Sequence, residues 1–201
     1  MEYTTGLQNQ YIENADFLYW RGRLLVYTGN NEKGKQFYRE ALNKDPDNVR
    51  YQKAWRNHLK MEKLKKEATD LFSAQSYKEA IERFSECLDL DPLNIQYNST
   101  ILFNKAVAYS KVSMNKEALD DLSKAIEMND DYTKAYVKRG EINLVLENYE
   151  EAVRDYERAK QLDPTQHGIK EKIKHAKLEL KKSKRKDYYK ILNVAKDVTD
   201  E

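Results

Sequence analysis

Side chains able to act as nucleophiles or metal ligands are sparse in this chain of 201 residues. The histidines, His58, His167 and His175, show no pairing typical of a metal site, and we interpret them as structural or solvated. Cys87 is the single cysteine, so it cannot form an internal disulfide, and its place in a series of small residues favours packing. No glycine-rich phosphate loop is present. The sequence therefore predicts that the protein is not an enzyme and uses no catalytic residue, metal or cofactor.

The composition favours helices joined by short turns. Gly and Pro together contribute only 9 residues, and the mean hydropathy is −0.95. No apolar run approaches the roughly 18 residues that a membrane span needs, so we expect no membrane partner. The 36 Lys and Arg residues nearly balance the 34 Asp and Glu residues, which leaves a net charge of +2. This balance excludes a surface of one charge sign over the whole molecule.

The prolines show that the chain repeats itself. The turns Lys44-Asp45-Pro46, Leu90-Asp91-Pro92 and Leu162-Asp163-Pro164 each end a helical pattern, and Asn129-Asp130-Asp131 stands where a fourth such turn is expected. The intervals indicate four units of about 34 residues. Each unit needs two helices, so the elements that position any site are helix-turn-helix pairs.

Within each unit, small residues recur at one helical position, where they let two helices approach closely: Gly22, Ala68, Ala106 and Gly140. This order of small and aromatic residues resembles the tetratricopeptide repeat. The resemblance implies an all-α superhelix, a helix-turn-helix solenoid with a C-terminal capping helix. Ser76 and Asn148 precede the second helices of two units, and we expect their side chains to accept hydrogen bonds from the first backbone amides.

Two helices fall outside the repeat pattern. Residues 47–91 contain no Gly or Pro and exceed one unit by about 12 residues, which predicts a single helix from about Asn48 to Ser73. After Pro164, Ile169, Ile173 and Ala176 recur at helical spacing in a lysine-rich stretch, which predicts a helix that covers the last repeat.

The tail from Lys186 to Val194, which contains Asp-Tyr-Tyr-Lys-Ile-Leu, resembles the opening of a J domain. Together with the repeats, it makes the chain similar to the cytosolic tetratricopeptide-repeat J-domain co-chaperones. The sequence ends before the His-Pro-Asp loop on which J-domain activity depends, so we expect a fragment with a truncated J domain that does not stimulate chaperone ATPase. The basic run Lys181–Lys186 lies just before this tail, and we interpret it as a solvated linker.

The predicted organisation has six parts. They are an N-terminal segment (1–13), a first repeat unit (14–47), the linking part of the long helix (48–60), a three-unit repeat domain (61–164), a basic capping helix and linker (165–186), and the truncated start of a J domain (187–201).

The resemblance also implies a binding site for the C-terminal Glu-Glu-Val-Asp tails of the seventy- and ninety-kilodalton heat-shock chaperones. In such co-chaperones a groove of three repeats holds the tail with two Lys, two Asn and an Arg or Lys. The matching positions in this chain are Lys65, Thr69, Asn104, Lys134 and Lys138. Thr69 stands where the family has Asn, and we expect it to contribute little.

The sequence therefore predicts a co-chaperone adaptor that binds these tails, with client proteins as further candidate partners. The alternative is a general interaction scaffold, or a protein that binds nucleic acid through its basic tail. The first residues lack the basic start and apolar core of a signal peptide. A cytoplasmic location follows as the expectation, with the nucleus as an additional one.

Overall fold

The computed structural model describes residues 14–184, and all regular structure in that range is α-helical. The helices are α1 (Ala15–Tyr27), α2 (Asn31–Lys44), α3 (Val49–Ser73), α4 (Tyr77–Leu88), α5 (Ile95–Lys111), α6 (Asn115–Met128), α7 (Thr133–Val145), α8 (Tyr149–Leu162) and α9 (Ile169–Ser183). None of these described helices is both long and apolar enough to span a membrane. The predicted all-α repeat fold is confirmed, whereas the predicted segment 1–13 and J-domain start 187–201 lie outside the described residues.

The chain divides into two compact units, the first ending at Ala135 and the second beginning at Tyr136. In the first unit α1 packs against α2, α3 against α4, and α5 against α6, and further contacts join α2 to α3 and α4 to α5. In the second unit α9 packs against α8. These neighbouring pairs are the arrangement expected of helix-turn-helix repeats. The finer division into six parts stays a prediction.

Glycines allow the close helix approach that the repeat pattern predicts. A Cβ atom on Gly34 of α2 would lie 2.5 Å from Val26 Cγ2 and 2.9 Å from the carbonyl oxygen of Gly22, both on α1. In the second unit, a Cβ on Gly140 would lie 2.8 Å from Cε1 of Tyr156. Any larger residue at these positions would separate the two helices.

The long helix predicted from Asn48 is present as α3, which has 25 residues. Asn48 caps it, because its Oδ1 accepts hydrogen bonds from the backbone amides of Arg50 and Tyr51. Tyr51 belongs to a core with Leu18, Tyr19 and Tyr38, whereas Leu64 and Ala68 belong to a second core with Phe84 and Ile101. One uninterrupted helix therefore contributes to two cores.

The prediction that Ser76 and Asn148 cap through their side chains is wrong. Both residues stand at the N-cap of a helix, but neither side chain makes a capping hydrogen bond. Their ψ angles of 63° and 65° depart from the extended backbone that normally accompanies such a bond. Asn148 instead donates its amide to the side-chain oxygen of Asn143, at 3.3 Å.

The second unit combines a capping helix with a buried ion pair. Ile169 and Ala176 of α9 are buried, as the predicted capping helix requires. On α7, the guanidinium of Arg139 donates to both carboxylate oxygens of Asp155 on α8, at 2.7 to 3.2 Å. The Asn143 amide donates to the same carboxylate, at 3.3 Å. These bonds satisfy a carboxylate that is almost completely buried.

Candidate functional site

Thr69 and Asn104 lie at the same small pocket of the first unit. The pocket has a volume of about 150 Å³, comparable to one aliphatic side chain. Its other lining residues are apolar, namely Phe72, Phe84, Phe103 and Val107. The pocket therefore combines an apolar interior with polar groups supplied by the neighbouring helices α3 and α5.

Lys65 lies one turn before Thr69 on α3. Its Nζ atom is 5.8 Å from the ring centroid of Tyr97, a distance that permits a cation–π contact. The Tyr97 hydroxyl donates to the backbone carbonyl of Met61, at 3.0 Å, and this bond fixes the ring under the lysine. Burial raises the pKa of Tyr97, so the phenol stays neutral and keeps its proton for this bond. Nothing in the spacing of the fifteen tyrosines singles out Tyr97 in the sequence.

The hydroxyl of Thr69 is already used by its own helix. Its Oγ1 donates to the backbone carbonyl of Lys65, at 2.8 Å. A hydroxyl has one proton to donate, so Thr69 must break this bond before it can donate to a ligand. Thr69, which we expect to contribute little to peptide binding, is therefore also a residue whose hydroxyl proton is already used in a hydrogen bond.

Asn104 is half-buried, and its side chain has no hydrogen-bond partner among residues 14–184. The next residue, Lys105, faces another way and pairs with Asp121 on α6, at 3.2 Å, with both side chains largely buried. Burial raises the pKa of Asp121, and the nearby Lys105 partly opposes that rise. Of these two neighbours on α5, only Asn104 is available to a ligand at the pocket.

Lys134 and Lys138 lie four residues apart on α7. Lys134 is exposed and belongs to the first unit, where the ring of Tyr132, just before α7, lies 5.3 Å from the ring of Phe103 on α5. Lys138 belongs to the second unit, where its Nζ is 3.6 Å from Glu141. The structure thus brings Thr69 and Asn104 together at the pocket, with Lys65 one turn before Thr69 on α3, and it leaves Lys134 and Lys138 on one helix that crosses the division between the units.

Cys87 and the histidines belong to no cluster of metal-ligating side chains in the part of the chain that is described. Cys87 is buried in the second core, and burial raises the pKa of its thiol, which fits the packing interpretation. No cluster of His, Cys, Asp and Glu suited to a metal occurs within residues 14–184. His58 is buried in the first unit, whereas His167 is exposed.

Two segments of the chain, residues 15–48 and 133–166, match family models described as tetratricopeptide repeat. DnaJ homolog subfamily C member 7 of Homo sapiens is 41% identical over 188 residues, which cover 94% of this chain. The chain belongs to the tetratricopeptide-repeat J proteins. It spans only 38% of that curated relative's length.

Solved structures similar to this J protein are repeat domains. The P58(IPK) TPR domain matches with a TM-score of 0.70 and 26% identity, over 86% of this chain and 48% of that one. The first TPR of Spaghetti (RPAP3), bound to the HSP90 peptide SRMEEVD, matches with a TM-score of 0.57 and 32% identity. The match covers 61% of this chain and 94% of that one. The second TPR domain of human RPAP3, in complex with the HSP70 peptide SGPTIEEVD, matches with a TM-score of 0.55 and 26% identity. The match covers 60% of this chain and 98% of that one. Two of these relatives therefore carry a bound chaperone peptide that ends in the same four residues.

Proposed function

We propose that this J protein binds the C-terminal Glu-Glu-Val-Asp tails of the seventy- and ninety-kilodalton heat-shock chaperones. The observation that carries the proposal is the apolar pocket lined by Thr69 and the unpaired Asn104 amide, with Lys65 one helical turn before Thr69. A tail that ends in Val-Asp presents one aliphatic side chain and two adjacent carboxylates, and this pocket offers a complementary group for each. The peptides bound to two of the similar structures have the same ending.

Each site residue has a distinct proposed role. Lys65 and Lys134 supply positive charge to the terminal carboxylates, and the Asn104 amide donates a hydrogen bond. Lys138 lies in the second unit, where its Nζ is 3.6 Å from Glu141, and its part in binding stays a prediction from the sequence. The aliphatic side chain of the tail enters the pocket lined by Phe72 and Val107, and Thr69 contributes only its methyl group to that wall.

In the full-length protein we expect a J domain that stimulates chaperone ATPase and promotes the transfer of client proteins. Tail binding by the repeats keeps the chaperone close to that domain. Residues 187–201 carry the resemblance to a J domain and lie outside the described part of the chain. The proposal for the repeats can be tested without them, because it concerns peptide affinity alone.

The nucleic-acid alternative is weakened because several lysines of the basic helix are used in contacts with the last repeat. Three lysines of α9 or its C-cap pair with acidic residues of α7 and α8, at 2.5 to 2.7 Å: Lys172 with Glu141, Lys177 with Glu157 and Lys184 with Glu150. These contacts join the helix to the last repeat and offset its positive charge. The basic character of α9 therefore has a structural explanation.

Titration with the peptide SRMEEVD tests the proposal. We expect an affinity of about −7 to −8 kcal/mol, in the micromolar range, that falls as salt increases. Lys65→Ala removes one charge-assisted contact and should cost about 1.5 to 3 kcal/mol of binding free energy. Lys66→Ala removes the adjacent exposed lysine and serves as the matched control, with no change expected. Equal binding of the same peptide with an amidated C-terminus would show that the site does not recognise a terminal carboxylate.

A further inference from the structure

The first unit contains a second, larger cleft, which shares no lining residue with the pocket at Thr69. Its volume is about 830 Å³, and it lies between α1, the first half of α3 and the turn after α4. Tyr19, Tyr38 and His58 form its buried wall, whereas Val49 and Leu93 line it with 73% and 66% of their surface exposed. Exposed aliphatic side chains beside a concave aromatic wall are typical of a binding cleft.

Specific hydrogen bonds hold the walls of this cleft in place. The Tyr27 hydroxyl at the end of α1 donates to Asp91 in the turn after α4, at 3.0 Å. The Asn57 amide of α3 donates to the backbone carbonyl of Leu90, at 3.0 Å. These contacts join positions 33 and 64 residues apart and attach the turn to the first repeat. The cleft is therefore a built feature of the unit.

The charge of the lining is predominantly positive. Arg23, Arg50 and Lys53 line the cleft, and Asp91 is the one acidic residue among the described lining residues. Asp91 already accepts the hydrogen bond from Tyr27, and Arg50 pairs with Asp16 outside the lining. Lys53 is exposed and makes no ion pair among residues 14–184. This lining is complementary to an acidic ligand.

His58, in the buried wall of the cleft, carries a polar atom without a hydrogen-bond partner among residues 14–184. Only 4% of its surface is exposed, and its Nε2 atom has no hydrogen-bond partner within the described chain. The nearest carboxylate oxygen, on Glu62, lies 3.6 Å away, too far for a hydrogen bond, and Glu62 is bound by Lys35 at 3.1 Å. A buried polar atom without a partner is uncommon in folded proteins, and the ring that carries this one belongs to the wall of the cleft.

We propose that this cleft is a second peptide-binding site, which takes an internal segment of a partner protein with an Asp or Glu side chain next to aliphatic side chains. Lys53 and Arg23 face the carboxylate, and Val49 and Leu93 contact the aliphatic groups. The site needs no free C-terminus, and in this it differs from the proposed tail-binding site.

A peptide display library separates the two sites. Random 12-residue peptides fused to the display protein through their C-termini offer no terminal carboxylate. We expect selection on the whole chain to enrich peptides with Asp or Glu beside Leu, Ile, Val or Phe. The selected peptides, synthesised with acetylated and amidated ends, should alter the intrinsic fluorescence, because both tryptophans, Trp20 and Trp55, lie on α1 and α3.

Charge reversal in the cleft provides the decisive comparison. Lys53→Glu should weaken binding of the selected peptides by about tenfold or more, because it places a like charge against their carboxylate. Lys33→Glu makes the same charge change at an exposed site on α2 outside the lining, and binding should be unchanged. Lys53→Glu should leave the affinity for SRMEEVD unaltered. Selection without acidic enrichment, or equal binding by the Lys53→Glu variant and the unaltered chain, would overturn the proposal.

Discussion

Thr69 offers a sharp test of how the tail-binding site works, because two substitutions separate its hydroxyl from its position. The hydroxyl donates to the Lys65 carbonyl, so it is not free to bind a ligand. Thr69→Val removes the hydroxyl and keeps the branched shape, and we expect the affinity for SRMEEVD to change by less than about twofold. Thr69→Asn instead introduces an amide at the edge of the pocket that Asn104 also lines.

The magnitude follows from the environment of the side chain. A hydrogen bond to a charged group contributes about 1.5 to 3 kcal/mol, and each 1.4 kcal/mol corresponds to a tenfold change in affinity. Thr69 is exposed, so water competes for the carboxylate, and the lower end of this range applies. We therefore expect Thr69→Asn to tighten binding by about tenfold.

Isothermal titration calorimetry with the free-acid and amidated peptides measures both effects. The gain from Thr69→Asn should appear only with the free acid, because we expect the new amide to bind the main-chain carboxylate, which amidation removes. Two results would refute the reasoning. A loss of more than about fivefold in Thr69→Val would show that the hydroxyl does contact the peptide, and no gain in Thr69→Asn would show that position 69 lies outside the site.

Two further predictions concern stability. Arg139→Leu leaves the buried Asp155 carboxylate without its cation and should lower the free energy of unfolding of the second unit by about 3 to 5 kcal/mol in urea denaturation; a loss below 1 kcal/mol would contradict this. Burial lowers the pKa of His58, Lys35 adds to this shift, and Glu62 and Glu32 oppose it. The unfolded state therefore takes up a proton near pH 6.5 that the folded state does not bind. Stability should therefore fall as the pH drops below about 6.5, by up to about 1.4 kcal/mol per pH unit, and His58→Gln should remove that part of the slope. An identical pH dependence in the variant would show that His58 does not titrate in this way.

The sequence predicts features of this fold that have a local or periodic signature. The recurrence of small residues locates the close contacts at Gly22 and Gly140, and the absence of Gly and Pro from residues 47–91 predicts the uninterrupted α3. Contacts between distant positions have no such signature. The bond from Tyr27 to Asp91 spans 64 residues, and no pattern in either segment indicates it. The sequence therefore does not predict the cleft that this bond helps to form.

The same distinction applies to individual side chains at the sites. The repeat pattern indicates where Lys65 and Asn104 stand on their helices, and the resemblance to co-chaperone repeats supplies their role. Neither the repeat pattern nor the resemblance indicates that the Thr69 hydroxyl donates a hydrogen bond to its own helix, because this bond depends on the side-chain rotamer. The sequence allows His58 to be either structural or solvated, and its burial beside Tyr38 becomes evident only when α2 and α3 are packed together. Likewise, core packing is the natural interpretation of a tryptophan, yet Trp20 is 51% exposed.

The sharing of α3 between two cores has a consequence for folding. In a repeat protein, each repeat has its own stability and is coupled to its neighbours through their interface. Here the first core, around Tyr51, and the second, around Leu64, are joined by continuous helical backbone rather than by a loop. The first repeat cannot separate unless α3 breaks in its interior or loses its packing over half its length. Unfolding in this part of the chain should therefore be a single cooperative transition, with amides on both sides of residue 60 exchanging at similar rates.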